Sequence, residues 1–187
     1  CAERPSRCRR TPPAPLSPLI GRAREVVAVS TLLREDGARL VTLTGPGGVG
    51  KTALSLGIAG KMRVEFVDGV VVIRLAGLQD PALVASTIAN ALDVVESGGR
   101  SLLDCLADAL HERRLLLVLD NFEHLLDAAP VVTDLLTRCP YLTVLATSRA
   151  TLRLAGEHAY PVAPLEVPDL DRLPSTGDLA DVAAVRL

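Results

Sequence analysis

Gly45-Pro46-Gly47-Gly48-Val49-Gly50-Lys51-Thr52 decides how this chain is read. It matches G-x-x-x-x-G-K-[ST] at every fixed position, and its flanks are the right ones. The apolar run Leu40 to Thr44 precedes it, and a helical pattern from Thr52 to Met62 follows. Glycines let successive backbone N–H groups curl around phosphate oxygens, and the next helix presents its unpaired amides and positive dipole end. Lys51 brings a point charge to the β- and γ-phosphates, and the Thr52 hydroxyl is a ligand for Mg²⁺. Residues 40–52 are therefore expected to form a phosphate-binding loop that takes a nucleoside triphosphate with Mg²⁺. A chance glycine-rich turn before a helix does not account for four agreeing fixed positions and both flanks.

Outward from that loop, short apolar runs alternate with helical patterns. Residues 22–35 space Val26, Val29, Leu32 and Leu33 as one face of a helix. Val70 to Leu75 reads as a second strand. Asp80-Pro81 opens a helix over Ala82 to Leu92, with Asp80 as cap and Pro81 at its first position. Ser101 caps another running to His111. Leu115 to Asp120 is a third strand, and Phe122 to Arg138 is helical in pattern with Pro130 as a break or kink. Thr143 to Ser148 is a fourth strand and His158 to Val162 a fifth. Continuously apolar strands separated by helices predict a parallel sheet covered on both faces. The fold class is thus α/β, a three-layer P-loop NTPase sandwich with a mostly parallel sheet of about five strands.

Further residues carry chemistry. A buried strand ending in a carboxylate is what such a fold needs beside its first strand, so Asp120 is expected to reach Mg²⁺; the bland reading is a cap for the next helix. Asn121 stands where many ATPases place a second acid, and an amide cannot take a proton. Glu123 is then the candidate base, or else a first-turn acid favouring the helix dipole. His124 reads as a surface helix residue. Thr147-Ser148-Arg149 ends the fourth strand, and ligands of open parallel sheets bind at the carboxyl ends of strands. Arg149 is either a reader of the γ-phosphate or an exposed loop arginine. Leu75-Ala76-Gly77-Leu78-Gln79 is like the transporter-ATPase signature but follows the second strand, which makes it a turn. The absence of N-K-x-D speaks against a GTPase, and neither G-x-S-x-G nor H-E-x-x-H occurs.

Composition narrows the partners. The 187 residues carry a net charge of −2 and are 49% apolar, enough for a full core without a general pull on nucleic acid or anionic membrane. Aromatics make up only 2%, too few for a base-stacking surface. No apolar run approaches the length of a bilayer. Cysteines at 1, 8, 105 and 139 lack C-x-x-C spacing. Cys105, in Leu102-Leu103-Asp104-Cys105-Leu106, is expected to be a core thiol. Residues 1–17, rich in Pro and Arg, read as a linker, 18–166 as the folded domain, and 167–187 as a linker toward a downstream helical domain.

Taken in order, these segments resemble a STAND-class P-loop NTPase of the NB-ARC type. The likeness is to the ATPase domains of large bacterial regulators of the LuxR or antibiotic-regulator kind. It rests on Leu19-Ile20-Gly21-Arg22 with Glu25, Leu43 to Thr52, Leu117 to Leu125, Ala146 to Arg149, and Tyr160-Pro161-Val162 with Pro164-Leu165. The resemblance implies an ATP/ADP switch in signalling or transcription, acting in the cytoplasm with slow ATP hydrolysis. It implies adenine contacts from Ile20, Gly21 and Arg22, although these also suit a simple turn before a helix. It implies phosphate reading by Arg149, partner helical and winged-helix domains downstream, and self-association in the ATP-bound state. No direct contact of this stretch with nucleic acid or membrane is expected. Two alternatives stand beside it: a small-molecule kinase, for which no arginine-rich lid is found, and a nucleotide-binding scaffold without turnover.

Overall fold

The computed structural model describes residues 21–35 and 37–165. Both linkers, and Ile20 of the expected adenine contacts, lie outside them. The elements are α1 (Ala23–Glu35), β1 (Leu40–Thr44), α2 (Lys51–Met62), β2 (Val70–Arg74), α3 (Val84–Ala91), α4 (Leu102–Leu110), β3 (Leu116–Asp120), α5 (Ala129–Arg138), β4 (Thr143–Ser148) and β5 (Glu157–Pro161). All strand pairings are parallel, in the order β2-β3-β4-β1-β5.

Strands β1 to β4 are mostly buried because both faces are covered, whereas the edge strand β5 is largely exposed. Side chains alternate across a strand, so Leu116 and Val118 of β3 join Val41, Leu43, Leu54 and Ile58 beneath α1 and α2. Leu117 and Leu119 join Val71, Ile73, Ile88, Leu106 and Val144 on the face covered by α3, α4 and α5. This is the expected three-layer sandwich.

The strand order corrects one expectation. β3 does not lie beside β1; β4 lies between them. Nothing local in an apolar strand says which neighbour it takes, and the order places the end of β4 between the glycine-rich loop and Asp120. A second correction concerns the stretch after β3. The helix begins at Ala129, and residues 122–128 form two short 3₁₀ turns, Phe122–His124 and Leu126–Ala128. Asn121 adopts a left-handed conformation, φ 69°, which Asn tolerates better than most residues and which stops an α-helix from starting there. Pro130 sits in the first turn of α5, where its missing N–H costs nothing, so it marks a start and not a kink. Likewise Pro81–Leu83 is a 3₁₀ turn ahead of α3, with Asp80 accepting from the Ala82 amide at 2.9 Å. Ser101 caps α4 as expected, accepting from the Asp104 amide at 3.1 Å. Cys105 is only half-buried, whereas Cys139 is the core thiol, and burial pushes the Cys139 thiol above its ordinary value.

No described helix is long and apolar enough to cross a membrane.

One surface pair ties α1 to the turn after α2. Arg34 Nε donates to both Glu65 oxygens, at 2.6 and 2.7 Å. That bond holds the Glu65 carboxyl below its ordinary value, and burial works against it. A depressed carboxylate contributes stability above its unfolded pKa and loses it as pH falls through the folded one. Glu65→Gln is therefore expected to cost at most about 1 kcal/mol at neutral pH. In urea denaturation the gap to wild type narrows as the pH drops below the ordinary carboxylate range. A gap that stays constant with pH removes this assignment.

Candidate nucleotide-binding site

The loop from Gly45 to Gly50 has the shape its glycines permit. Gly48 and Gly50 have φ of 79° and 90°, a region closed to most side chains. A Cβ on Gly47, Gly48 or Gly50 would find no heavy atom within 4 Å. The space in front of the loop is therefore open to a ligand. Gly50 leads into α2 with no side-chain cap, which leaves the first amides of that helix free to bind an anion. Gly45 has a different task. A Cβ there would lie 2.9 Å from the Val162 carbonyl oxygen, because the chain leaving β5 runs close by and the Val162 amide donates to Thr44 O at 2.7 Å. Gly45→Ala is expected to destabilise the fold by about 1–3 kcal/mol; an unchanged urea midpoint contradicts that packing.

Lys51 is buried, 9% exposed, and its Nζ donates to the carbonyls of Gly45 and Pro46 at 2.8 and 2.9 Å. The ammonium thus lies folded over the loop. Thr52 Oγ1 donates to Asp120 Oδ1 at 2.8 Å, although β4 separates β1 from β3 in the sheet. The intervening strand makes the second link, since Thr147 Oγ1 donates to the same Asp120 oxygen at 2.7 Å and accepts from the Asn121 amide at 2.8 Å. Thr147 is 1% exposed; it fixes the carboxylate and the left-handed turn together. Its position at the end of a strand signalled proximity, but not this double bond.

The donor set suits a hard cation. Among the described residues no group of three His, Cys, Asp or Glu gathers to hold a metal. One hydroxyl and one carboxylate meet beside the glycine-rich loop, hard oxygen donors of the kind Mg²⁺ accepts.

Glu123 and Arg149 lie side by side in the lining of an open cleft of about 490 Å³, with Asn121, His124, Leu126, Ser148 and Ala150. Arg149 Nε donates to Glu123 Oε1 at 3.1 Å, and Glu123 Oε2 is buried with no partner. His124 is on the surface as expected, but not on an α-helix. It sits in the 3₁₀ turn with its Nε2 at 2.6 Å from Leu78 O and 3.2 Å from Leu75 O. Two carbonyls can only accept, so Nε2 carries the proton. The look-alike segment 75–79 is the turn it was expected to be, and His124 ties it to the end of β3.

Gly21 and Arg22 lie behind the loop. Arg22 is 5% exposed, and its guanidinium donates to Val49 O at 2.9 Å, Ala163 O at 2.7 Å and Glu25 Oε1 at 2.7 Å. These bonds, invisible in the sequence, join the start of the domain, the loop and the chain leaving β5.

Comparison with known proteins places these features. The AAA domain family matches residues 34–159. A protein of Mycobacterium tuberculosis provisionally named an HTH-type transcriptional regulator is 46% identical over 132 residues, covering 70% of this chain. The regulatory protein AfsR of Streptomyces griseus is 34% identical over 148 residues, covering 69% of this chain. This chain spans 15% of the length of each of these regulators. Among solved structures, a STAND protein with a tetratricopeptide repeat sensor from Pyrococcus horikoshii matches with a TM-score of 0.55 at 19% identity. That match covers 79% of this chain and 23% of the other. Cdc6p of Pyrobaculum aerophilum matches at 0.54 and 17% identity, covering 87% and 48%. Both structural likenesses concern the fold.

Proposed function

From a chain that belongs to the AAA domain family, we propose an ATP- and ADP-binding switch domain of a multidomain signalling or transcriptional regulator, one that hydrolyses ATP slowly with Mg²⁺. The single observation that carries this reading is the 2.8 Å bond from Thr52 to Asp120. It joins the phosphate loop to the acid of a strand two places away.

The arrangement of the described residues supports the following roles. The amides of residues 47–52 and the bare N-terminus of α2 hold the phosphates. Lys51 turns from its own loop carbonyls to the β- and γ-phosphates. The Thr52 hydroxyl and the Asp120 carboxylate are the protein ligands of Mg²⁺, which when bound neutralises phosphate charge. Thr147 keeps that carboxylate aimed at the helix terminus. Arg149, at the end of the strand between loop and acid, reads the γ-phosphate. Gly21 and Arg22, with Ile20, form the adenine side.

The finer class is STAND, NB-ARC type. The regulator names of its relatives support it, and so does the ordered set from Gly21-Arg22 to Tyr160-Pro161. On this reading the domain works in the cytoplasm. Helical and winged-helix partners lie downstream in the parent chain and the ATP-bound state self-associates. ATP and ADP then favour different arrangements of those neighbours, through their differential affinity alone.

Titration of labelled ATP and ADP, with and without Mg²⁺, tests the core of this. Both nucleotides are expected to bind, and ATP more tightly when Mg²⁺ is present. Binding of neither at millimolar nucleotide removes the reading. Phosphate release no faster than from a Lys51→Ala control leaves a nucleotide-binding scaffold in its place.

A further inference from the structure

We infer that Glu123 is a positioning residue: it holds Arg149 by Nε and so turns the two Nη groups of that arginine toward the γ-phosphate, instead of serving as the base. The inference rests on the nucleotide-binding reading and assigns a new role within it. Of the two carboxylate oxygens, Oε1 is bonded to Arg149 Nε at 3.1 Å and Oε2 is buried without a partner. Oε2 is closed off from water, and Oε1 is already engaged by the arginine. The Glu123 side chain is 16% exposed, that of Arg149 71%. The acid is thus the fixed member and the arginine the reaching one.

Which nitrogen is bonded matters. A bidentate grip on the Nη groups would use the fork that recognises phosphate. A bond at Nε leaves that fork free, and the Nη groups have no hydrogen bond to any described residue. Both residues border the cleft that also holds Asn121 and Ser148, at the carboxyl ends of β3 and β4. Glu123 is held from behind. Phe122, 0% exposed, anchors the turn in the core, and His124 is bonded to the carbonyls of Leu75 and Leu78. An arginine preset in this way loses less freedom when it meets a phosphate. A diphosphate has no γ-phosphate to meet it, so the gain applies to the triphosphate alone.

The test uses the 187-residue chain and five proteins: wild type, Glu123→Gln, Glu123→Ala, Arg149→Ala and the Glu123→Ala/Arg149→Ala double variant. Displacement of a fluorescent nucleotide by a non-hydrolysable ATP analogue and by ADP gives the affinities, and phosphate release gives turnover. Glutamine keeps an oxygen for Nε, so Glu123→Gln is expected to retain triphosphate affinity and turnover within about threefold of wild type. Glu123→Ala weakens the triphosphate about two- to fivefold and leaves ADP unchanged. It adds nothing in the Arg149→Ala background. A base behaves otherwise, and its loss in Glu123→Gln lowers turnover about 100-fold or more at unchanged affinity; that result overturns the inference. So does Glu123→Ala with full triphosphate affinity, or a loss that persists without Arg149. Should Glu123→Ala not fold, the glutamine variant alone still separates the two roles. Wild type that binds neither nucleotide defeats the underlying reading first.

Discussion

Lys51→Ala is expected to weaken both ATP and ADP by about 10- to 150-fold, the worth of one charged hydrogen bond to phosphate at about 1.5–3 kcal/mol. The argument is local. Nζ donates to Gly45 O and Pro46 O, two acceptors on the wall of the loop itself, so a phosphate oxygen in the cradle comes within its reach. Both nucleotides suffer because the β-phosphate is common to them. Arginine should not restore binding, since its planar fork cannot occupy the space of a compact ammonium so close to the loop. Isothermal titration of both nucleotides onto wild type, Lys51→Ala and Lys51→Arg measures this, with thermal unfolding as the control for an intact fold. Affinities equal to wild type in the alanine variant mean that the loop does not hold phosphate.

The second large effect concerns stability. Phe122→Ala is expected to cost about 3–5 kcal/mol, the usual result of emptying a fully buried aromatic site. Phe122 is 0% exposed, in a cluster with Leu75, Leu125 and Ala128. It is also the one apolar anchor between Asp120 and Glu123, so its loss loosens the turn that carries both acids. Phe122→Leu refills part of the space and should recover more than half of the loss. Urea denaturation measures the stability, and nucleotide titration at a temperature where the variant is folded measures the site. A cost below about 1 kcal/mol would mean that the cavity collapses and the turn is anchored elsewhere.

How much of this was legible beforehand depended on how far each signal reaches along the chain. The glycine-rich loop, the Asp80 and Ser101 caps and the apolar strands are local, and they stand where the residues said they would. The strand order is not local. Leu115 to Asp120 suits a place beside β1 as well as one beyond β4, and only the assembled sheet chooses. The stretch from Phe122 to Ala128 kept a helical pattern because its buried residues, Phe122, Leu125 and Ala128, fall at a spacing that a pair of 3₁₀ turns shares. Asn121 was read for its lack of a second acid, while its backbone angle decided where the helix begins. Thr147 was in view only as part of a strand end. Its two hydrogen bonds link residues 26 and 27 positions apart, which periodicity does not report. The proposed role of Arg149 rests mostly on resemblance, and the structure adds its partner Glu123.

The three bonds of the Arg22 guanidinium have a mechanical consequence. They bring the first described turn and the strand-exit segment to one spot at the back of the loop, against Val49 O and Ala163 O. A pull on either flank of the domain therefore arrives at the same peptide unit of the loop, carried by a single side chain. A displacement of residues 21–25 or of the chain leaving β5 would therefore reach the glycine-rich loop through one guanidinium, and a displacement of the loop would reach both by the same path.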